Sequence, residues 1–150
     1  MTMQIIMRML SSGFFVGYLP YAPGTWASIV ALIFFWFVPI NSFLDIFILL
    51  GATIMSIFIA TKAEAYWGVH DDKRIVIDEW IGCGWAICLI PHEYKYYLAA
   101  LALFRVFDIT KPFFIKKAEL LKRGYGIMAD DVVAGICAAI VLRVFIGFGL

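Results

Sequence analysis

The chain has 150 residues, of which 64% are hydrophobic and only 15% charged, with a formal net charge of +1. Soluble domains carry about 45–50% apolar and about 25% charged residues, so this composition, with its mean hydropathy of +0.94, excludes an ordinary soluble protein and indicates a membrane protein of one domain. No stripe of basic and aromatic residues suggests nucleic acid, and Cys83, Cys88 and Cys137 stand in apolar runs without metal or redox spacing, as buried small hydrophobes.

The opening segment MTMQIIMRML has one arginine, no long apolar core and no small-residue cleavage site, so it is not expected to act as a secretory signal. Apolar stretches follow at Ala22–Pro39, Phe43–Ala60, Ile75–Pro91, Tyr94–Thr110 and Val132–Leu150. Crossing the hydrocarbon takes about 20 apolar residues. The second and fifth stretches reach that length unaided; the others reach it only by including polar motifs, or else re-enter the same side. The expected fold is all-α: a polytopic membrane bundle of about four to five hydrophobic helices, some short or tilted, forming one domain over residues 1–150.

If each stretch crosses, every polar motif falls on one side. Arg8, Lys62, Lys73, Arg74, Arg105, Lys111, Lys116, Lys117, Lys122 and Arg123 share that side, and only Lys95 and Arg143 fall elsewhere. The positive-inside rule makes it cytoplasmic, and an odd number of crossings puts the carboxyl end outside. The amphipathic Lys116–Lys122 stretch is expected to lie along the interface. Trp26, Trp67, Trp80, Tyr94 and Tyr97 fall near segment ends, as in an aromatic belt. Pro112 disfavours helix at Lys111, so the fourth segment should stop there.

Four motifs carry candidate chemistry. In YLPYAPGTWAS, Thr25 and Ser28 at a proline- and glycine-broken helix start could face an anion, although a simple turn explains Pro23 and Gly24 as well. In VIDEWIG, a helix cap and a dipole-favoured acid explain one of Asp78 and Glu79 well and the second, nearer hydrocarbon, less well. In LFRVFDITKPFF, Arg105 and Asp108 are three apart, hence on one helix face, with Lys111 beyond. In GYGIMADDVVAG, one of Asp130 and Asp131 could cap the last helix. The loop motif YWGVHDDKR, with His70 beside Asp71 and Asp72, is most simply solvated.

Ionisable groups this close to the bilayer mark a functional site by default. The chain offers no Ser-His-Asp set, no Cys-His pair and no C-x-x-C. Asp78, Glu79, Asp108, Asp130 and Asp131 supply hard oxygen ligands of the kind Mg²⁺ takes together with phosphate oxygens. Carboxylates plus cations without such a nucleophile point to Mg²⁺-assisted chemistry on a phosphate.

The blocks GYLPYAPGTWAS, VIDEWIG, FRVFDITKPFFI and GYGIMADDVVAG resemble, in order and spacing, the signature of the bacterial phosphatidylglycerophosphatase A family, over roughly Gly13 to Ile140. The resemblance implies a Mg²⁺-dependent, multi-pass inner-membrane hydrolase facing the cytoplasm. It would remove the terminal phosphate of phosphatidylglycerol phosphate, a lipid of the bilayer, to leave phosphatidylglycerol. Phe15, Ala27, Phe114 and Arg123 depart from the family pattern, and none of them removes a carboxylate or a cation from the motifs.

On this reading Asp78, Glu79, Asp130 and Asp131 form the pool of metal ligands and catalytic base. Asp108 ligates metal or holds Arg105, while Arg105, Lys111, Thr25 and Ser28 bind substrate. Direct water attack is favoured, with an aspartyl-phosphate route as the alternative. The rival classes are a small transporter, against which the uncharged middles of the stretches speak, and a non-catalytic subunit docking a partner through its charges.

Overall fold

The computed structural model describes residues 2–69, 72–119, 121 and 124–149, with the side chains of Thr2, Met3, Phe114 and Glu119 left aside. His70, Asp71, Lys122 and Arg123, which figured in the sequence motifs, lie outside the described residues. Among the described residues the chain is all helical: α1 (Thr2–Ser11), α2 (Pro23–Phe37), α3 (Phe43–Trp67), α4 (Ile77–Ile87), α5 (Tyr94–Thr110), α6 (Phe113–Glu119) and α7 (Gly124–Gly147), with a 3₁₀ turn at Val16–Tyr18.

The helices begin and end where local chemistry predicts. Ser42 caps α3 in a reciprocal capping box with Asp45, and Gly68 closes it in the left-handed region at φ 67°. Pro23 occupies the first turn of α2, where a missing N–H costs nothing. α5 stops at Thr110, with Lys111 left-handed before Pro112, as the sequence predicts. Between α3 and α4, the Arg74 guanidinium donates to Asp72 through Nε (2.7 Å) and Nη2 (2.6 Å) and holds that carboxyl below the usual carboxylate range.

Helix length limits what can cross a bilayer. At 1.5 Å per residue, the 15 residues of α2 span about 22 Å and the 11 of α4 about 16 Å, short of a hydrocarbon core about 30 Å thick. By length and composition one helix among the described residues, α3, suffices to cross a membrane. It is 25 residues long, running on to Trp67 where Ala60 was expected, and only 22% of its most apolar 18-residue stretch is buried. Phe43, Leu44, Phe47, Ile48 and Ile54 project from it into the surroundings.

The core forms around the short α4. Cys83, Ala86 and Ile87 are fully enclosed with Phe104 of α5 and Ala134, Ala138 and Leu142 of α7. Cysteines 83 and 88 are buried and unbridged, as expected of small hydrophobes; Cys137 is half-buried. Small residues set the spacing. A Cβ at Gly82 would lie 2.6 Å from the Phe104 ring and 2.8 Å from the Asp131 carbonyl oxygen, and one at Gly135 would strike the Gly82 carbonyl. α4 and α7 therefore cross backbone to backbone, which side chains would forbid.

Two expectations about individual residues change. Tyr97 is only 1% exposed and so belongs to the core rather than to an aromatic belt, while Trp26 and Tyr94 are exposed. In α6, Lys116 and Lys117 face outward and Ile115 is buried, but the helix begins earlier than expected, at Phe113.

The α4–α7 crossing generates a test. Gly135→Ala is expected to destabilise the protein by about 1–3 kcal/mol through overpacking, lowering its thermal unfolding temperature in detergent. Gly51→Ala, in α3 with nothing near the added methyl, should leave that temperature unchanged or raised.

Candidate active site

Four motifs from across the chain line one cavity of about 400 Å³. The start of α2 contributes Pro23, Gly24 and Thr25, and the start of α4 Asp78 and Glu79. The end of α5 supplies Arg105, Asp108 and Lys111, and the second turn of α7 Asp130 and Asp131. Of the candidate site residues named from the sequence, Ser28 does not line the cavity and is fully buried. Its hydroxyl donates to the Gly24 carbonyl (2.8 Å) and accepts from Arg105 Nη1 (3.4 Å).

Neither acidic pair is a helix cap. Val76 occupies the cap position of α4, so both Asp78 and Glu79 sit in its first turn. α7 begins at Gly124, eight residues before the apolar stretch seen in the sequence, so Asp130 and Asp131 lie within the helix, and both are buried. The glycine crossing explains their meeting. Asp78 is one turn before Gly82 and Asp131 one turn before Gly135, so the backbone contact draws the carboxylates together. One carboxylate oxygen from each of Asp78, Glu79 and Asp131 lies within 4.8 Å of the others. Gly24 completes the approach, since a Cβ there would fall on a Glu79 carboxylate oxygen.

The cations are held by carboxylates. Arg105 Nη1 bonds Asp108 Oδ2 at 2.7 Å, the pair three apart on α5, and Arg105 Nη2 reaches Thr25 Oγ1 at 3.4 Å. Lys111 Nζ bonds Asp130 Oδ2 at 2.7 Å. Lys73, read in the sequence only as an orienting positive charge, also lines the cavity and is exposed. No spacing signal marked it, because its loop looked simply solvated.

What is left unpaired suits a metal ion. Asp78 Oδ1, Glu79 Oε2, Asp130 Oδ1 and Asp131 Oδ2 are buried without a hydrogen-bond partner among the described residues, as is Arg105 Nε. Buried polar atoms are nearly always satisfied, and buried charges are paired or coordinate metals. Five carboxylates against three cations also leave the cavity lining two negative charges in excess, which a divalent cation offsets. The residues present therefore fit such an ion, with Asp78, Glu79 and Asp131 as the group able to hold it.

Known proteins match the chain along most of its length. A protein from Haemophilus influenzae named phosphatidylglycerophosphatase A is 41% identical over 141 residues, covering 90% of this chain and 85% of its own. One from Escherichia coli with the same name is 33% identical over 145 residues, covering 93% and 83%. A Bacteroides thetaiotaomicron protein, provisionally named a phosphatidylinositol-3-phosphatase, is 37% identical over 145 residues, 91% of each chain. No solved structure matches. The model of the phosphatidylglycerophosphatase A family covers residues 9–146, and the chain belongs to that family.

Proposed function

We propose that the cavity hydrolyses the terminal phosphomonoester of phosphatidylglycerol phosphate, releasing phosphate and leaving phosphatidylglycerol. The observation that carries this reading is the meeting of acids and cations from four separate helices around one cavity, with buried carboxylate oxygens unpaired. Family membership supplies the reaction class.

Asp78, Glu79 and Asp131 would hold the divalent ion, and Asp130 and Asp108 complete the acidic lining. Mg²⁺ is our assignment, because its ligands of choice are carboxylates, water and phosphate oxygens. When bound, it neutralises phosphoryl charge and acidifies water. Arg105 is steadied by Asp108, Thr25 and Ser28, and its unpaired Nε is a donor for a phosphoryl oxygen. Lys111 adds positive charge where charge develops on the leaving group. Asp130 has one oxygen held by Lys111 and one unpaired, and we assign it to take the proton of the attacking water. Direct attack is preferred to an aspartyl-phosphate, since every acid in the cavity has metal-binding or cation-holding work.

A multi-pass arrangement in the bacterial inner membrane, with the cavity at the cytoplasmic surface, accords with the exposed apolar flank of α3. The concentration of Lys and Arg at the motif-bearing end supports the same orientation. The 37% identical Bacteroides relative favours a second reading, in which the phosphate sits on an inositol lipid.

Four measurements test these assignments. Asp131→Asn should lower phosphate release from phosphatidylglycerol phosphate at least a hundredfold, the scale of losing one key electrostatic contact, while the protein still inserts. EDTA should abolish wild-type turnover and added Mg²⁺ restore it; near-normal turnover of the variant at saturating Mg²⁺ would remove Asp131 from the site. Lys73→Ala should raise KM about fivefold with kcat within about twofold, as expected for one exposed cation contributing about 1 kcal/mol to substrate binding. Lastly, kcat/KM for phosphatidylglycerol phosphate should exceed that for phosphatidylinositol 3-phosphate by about tenfold or more; the reverse ratio would transfer the assignment to the inositol lipid.

A further inference from the structure

A second hollow lies on the same α2–α5 seam as the cavity. Its volume is about 190 Å³, and Leu32, Ile33, Trp36, Tyr94, Tyr97 and Leu98 line it. The two helices run antiparallel in constant register. Ser28 meets Arg105 through a hydrogen bond, and eight residues further along α2 the Trp36 ring meets Tyr97 edge-on, 5.5 Å between centroids, eight residues earlier in α5. At 1.5 Å per residue the hollow thus lies about 12 Å along the seam from the Arg105–Ser28 contact.

We propose that this groove is a subsite for an acyl chain of the lipid whose phosphate occupies the cavity. Its lining is apolar except for phenol and indole edges, and its outer lips, Ile33 and Leu98, are more than half exposed. Its floor is firm. Tyr97 is fully enclosed, and Trp36 is clamped by His92, whose ring lies 4.2 Å away and whose Nε2 approaches the Trp36 carbonyl at 3.0 Å. Between cavity and groove α5 carries a small side chain. Ala102, one turn from both Leu98 and Arg105, is exposed and presents only a methyl group.

The occupant follows from continuity with the cavity. A ligand with its phosphate at Arg105 and its tail in the bilayer must leave along an outer seam of the bundle, and the α2–α5 seam starts at Arg105 itself. A chain lying there gains burial for a run of methylenes, which free phosphate or a soluble phosphomonoester would not. The inference rests on the lipid-phosphatase reading and adds chain recognition to it.

The test uses Ile33→Trp and Leu98→Trp, substitutions at exposed positions that fill the groove without disturbing the core. Phosphate release is measured in mixed micelles from a long-chain (dioleoyl) and a short-chain (dihexanoyl) phosphatidylglycerol phosphate. The ratio of kcat/KM for the long-chain over the short-chain substrate should fall about tenfold in each variant, the effect of losing burial of about two methylene groups. A ratio equal to that of the wild type would overturn the subsite. Equal loss on both substrates would make the groove merely structural, and also overturns it. Wild-type protein inert towards both lipids would instead sink the phosphatase reading and the groove with it. A long-chain analogue with a diazirine at the chain end gives an independent reading: it should label Ile33 or Leu98, and excess phosphatidylglycerol phosphate should compete where phosphatidylcholine does not. Equal competition by phosphatidylcholine would mean that bulk lipid fills the groove, and the proposal fails.

Discussion

The close approach of α4 to α7 at Gly82 and Gly135 is the constraint from which the site follows. Neither position accommodates a Cβ without striking the facing backbone or the Phe104 ring. Each glycine lies one helical turn after an acid of the metal-fitting cluster, Asp78 and Asp131. On two helices with ordinary side chains at the crossing, axes sit 8–10 Å apart, and acids one turn away would be spread accordingly. With hydrogen atoms at the crossing, carboxylates on different helices come within 4.8 Å. The core around α4 serves the same end, since Cys83 and Ala86 keep the helix narrow where α5 and α7 press on it.

Bringing like charges together out of water is unfavourable, and the cavity offsets that cost only in part. Two acids are answered locally, Asp108 by Arg105 and Asp130 by Lys111, each at 2.7 Å. Asp78, Glu79 and Asp131 keep buried oxygens with no partner among the described residues. Burying a carboxylate without compensation costs several kcal/mol, so a chain selected for stability alone would not keep three such groups within 4.8 Å of one another. The paired cations are the chemistry that suits a phosphate, and the unpaired acids the chemistry that suits a metal ion. This division of labour separates a catalytic cavity from a docking surface, on which acids would be solvated and spread.

Much of the site was legible in the sequence because helical spacing is local. Arg105 and Asp108 at i, i+3 form the ion pair that the spacing implies, and Pro112 ends α5 where expected. The four motifs expected on one side do meet around one cavity, and eight of the nine site residues named from the sequence line it, with Ser28 buried beside Arg105. Other features depended on tertiary contact and left no local trace. α7 begins at Gly124 because its first two turns pack against neighbours rather than facing lipid, so an apolar run starting at Val132 understated it. Tyr97 resembled a belt residue by position, yet the α2–α5 seam encloses it. Lys73 sits in a loop whose composition suits solvent, and only folding carries it to the cavity wall.

The brevity of α2 and α4 has a physical use in an enzyme of this family. A hydrolase acting on a lipid phosphate needs its acids at head-group depth, not in the hydrocarbon, where charge costs most. A helix of about 16 Å that starts with Asp78 and Glu79 can end inside the bundle, its apolar body supported by α5 and α7. Lengthening α4 to span the membrane unaided would either push its acids out into bulk water, where ligands are competed away, or expose its narrow glycine- and alanine-rich face to lipid, where it would lose the contacts that position those acids. Among the described residues α3 is the helix long and apolar enough to cross a membrane, and its apolar flank is exposed where the short α4 is enclosed. The fold thus places the cavity's acids on helices other than the long apolar α3, and the backbone contact of α4 with α7 beneath the carboxylates is what brings them together.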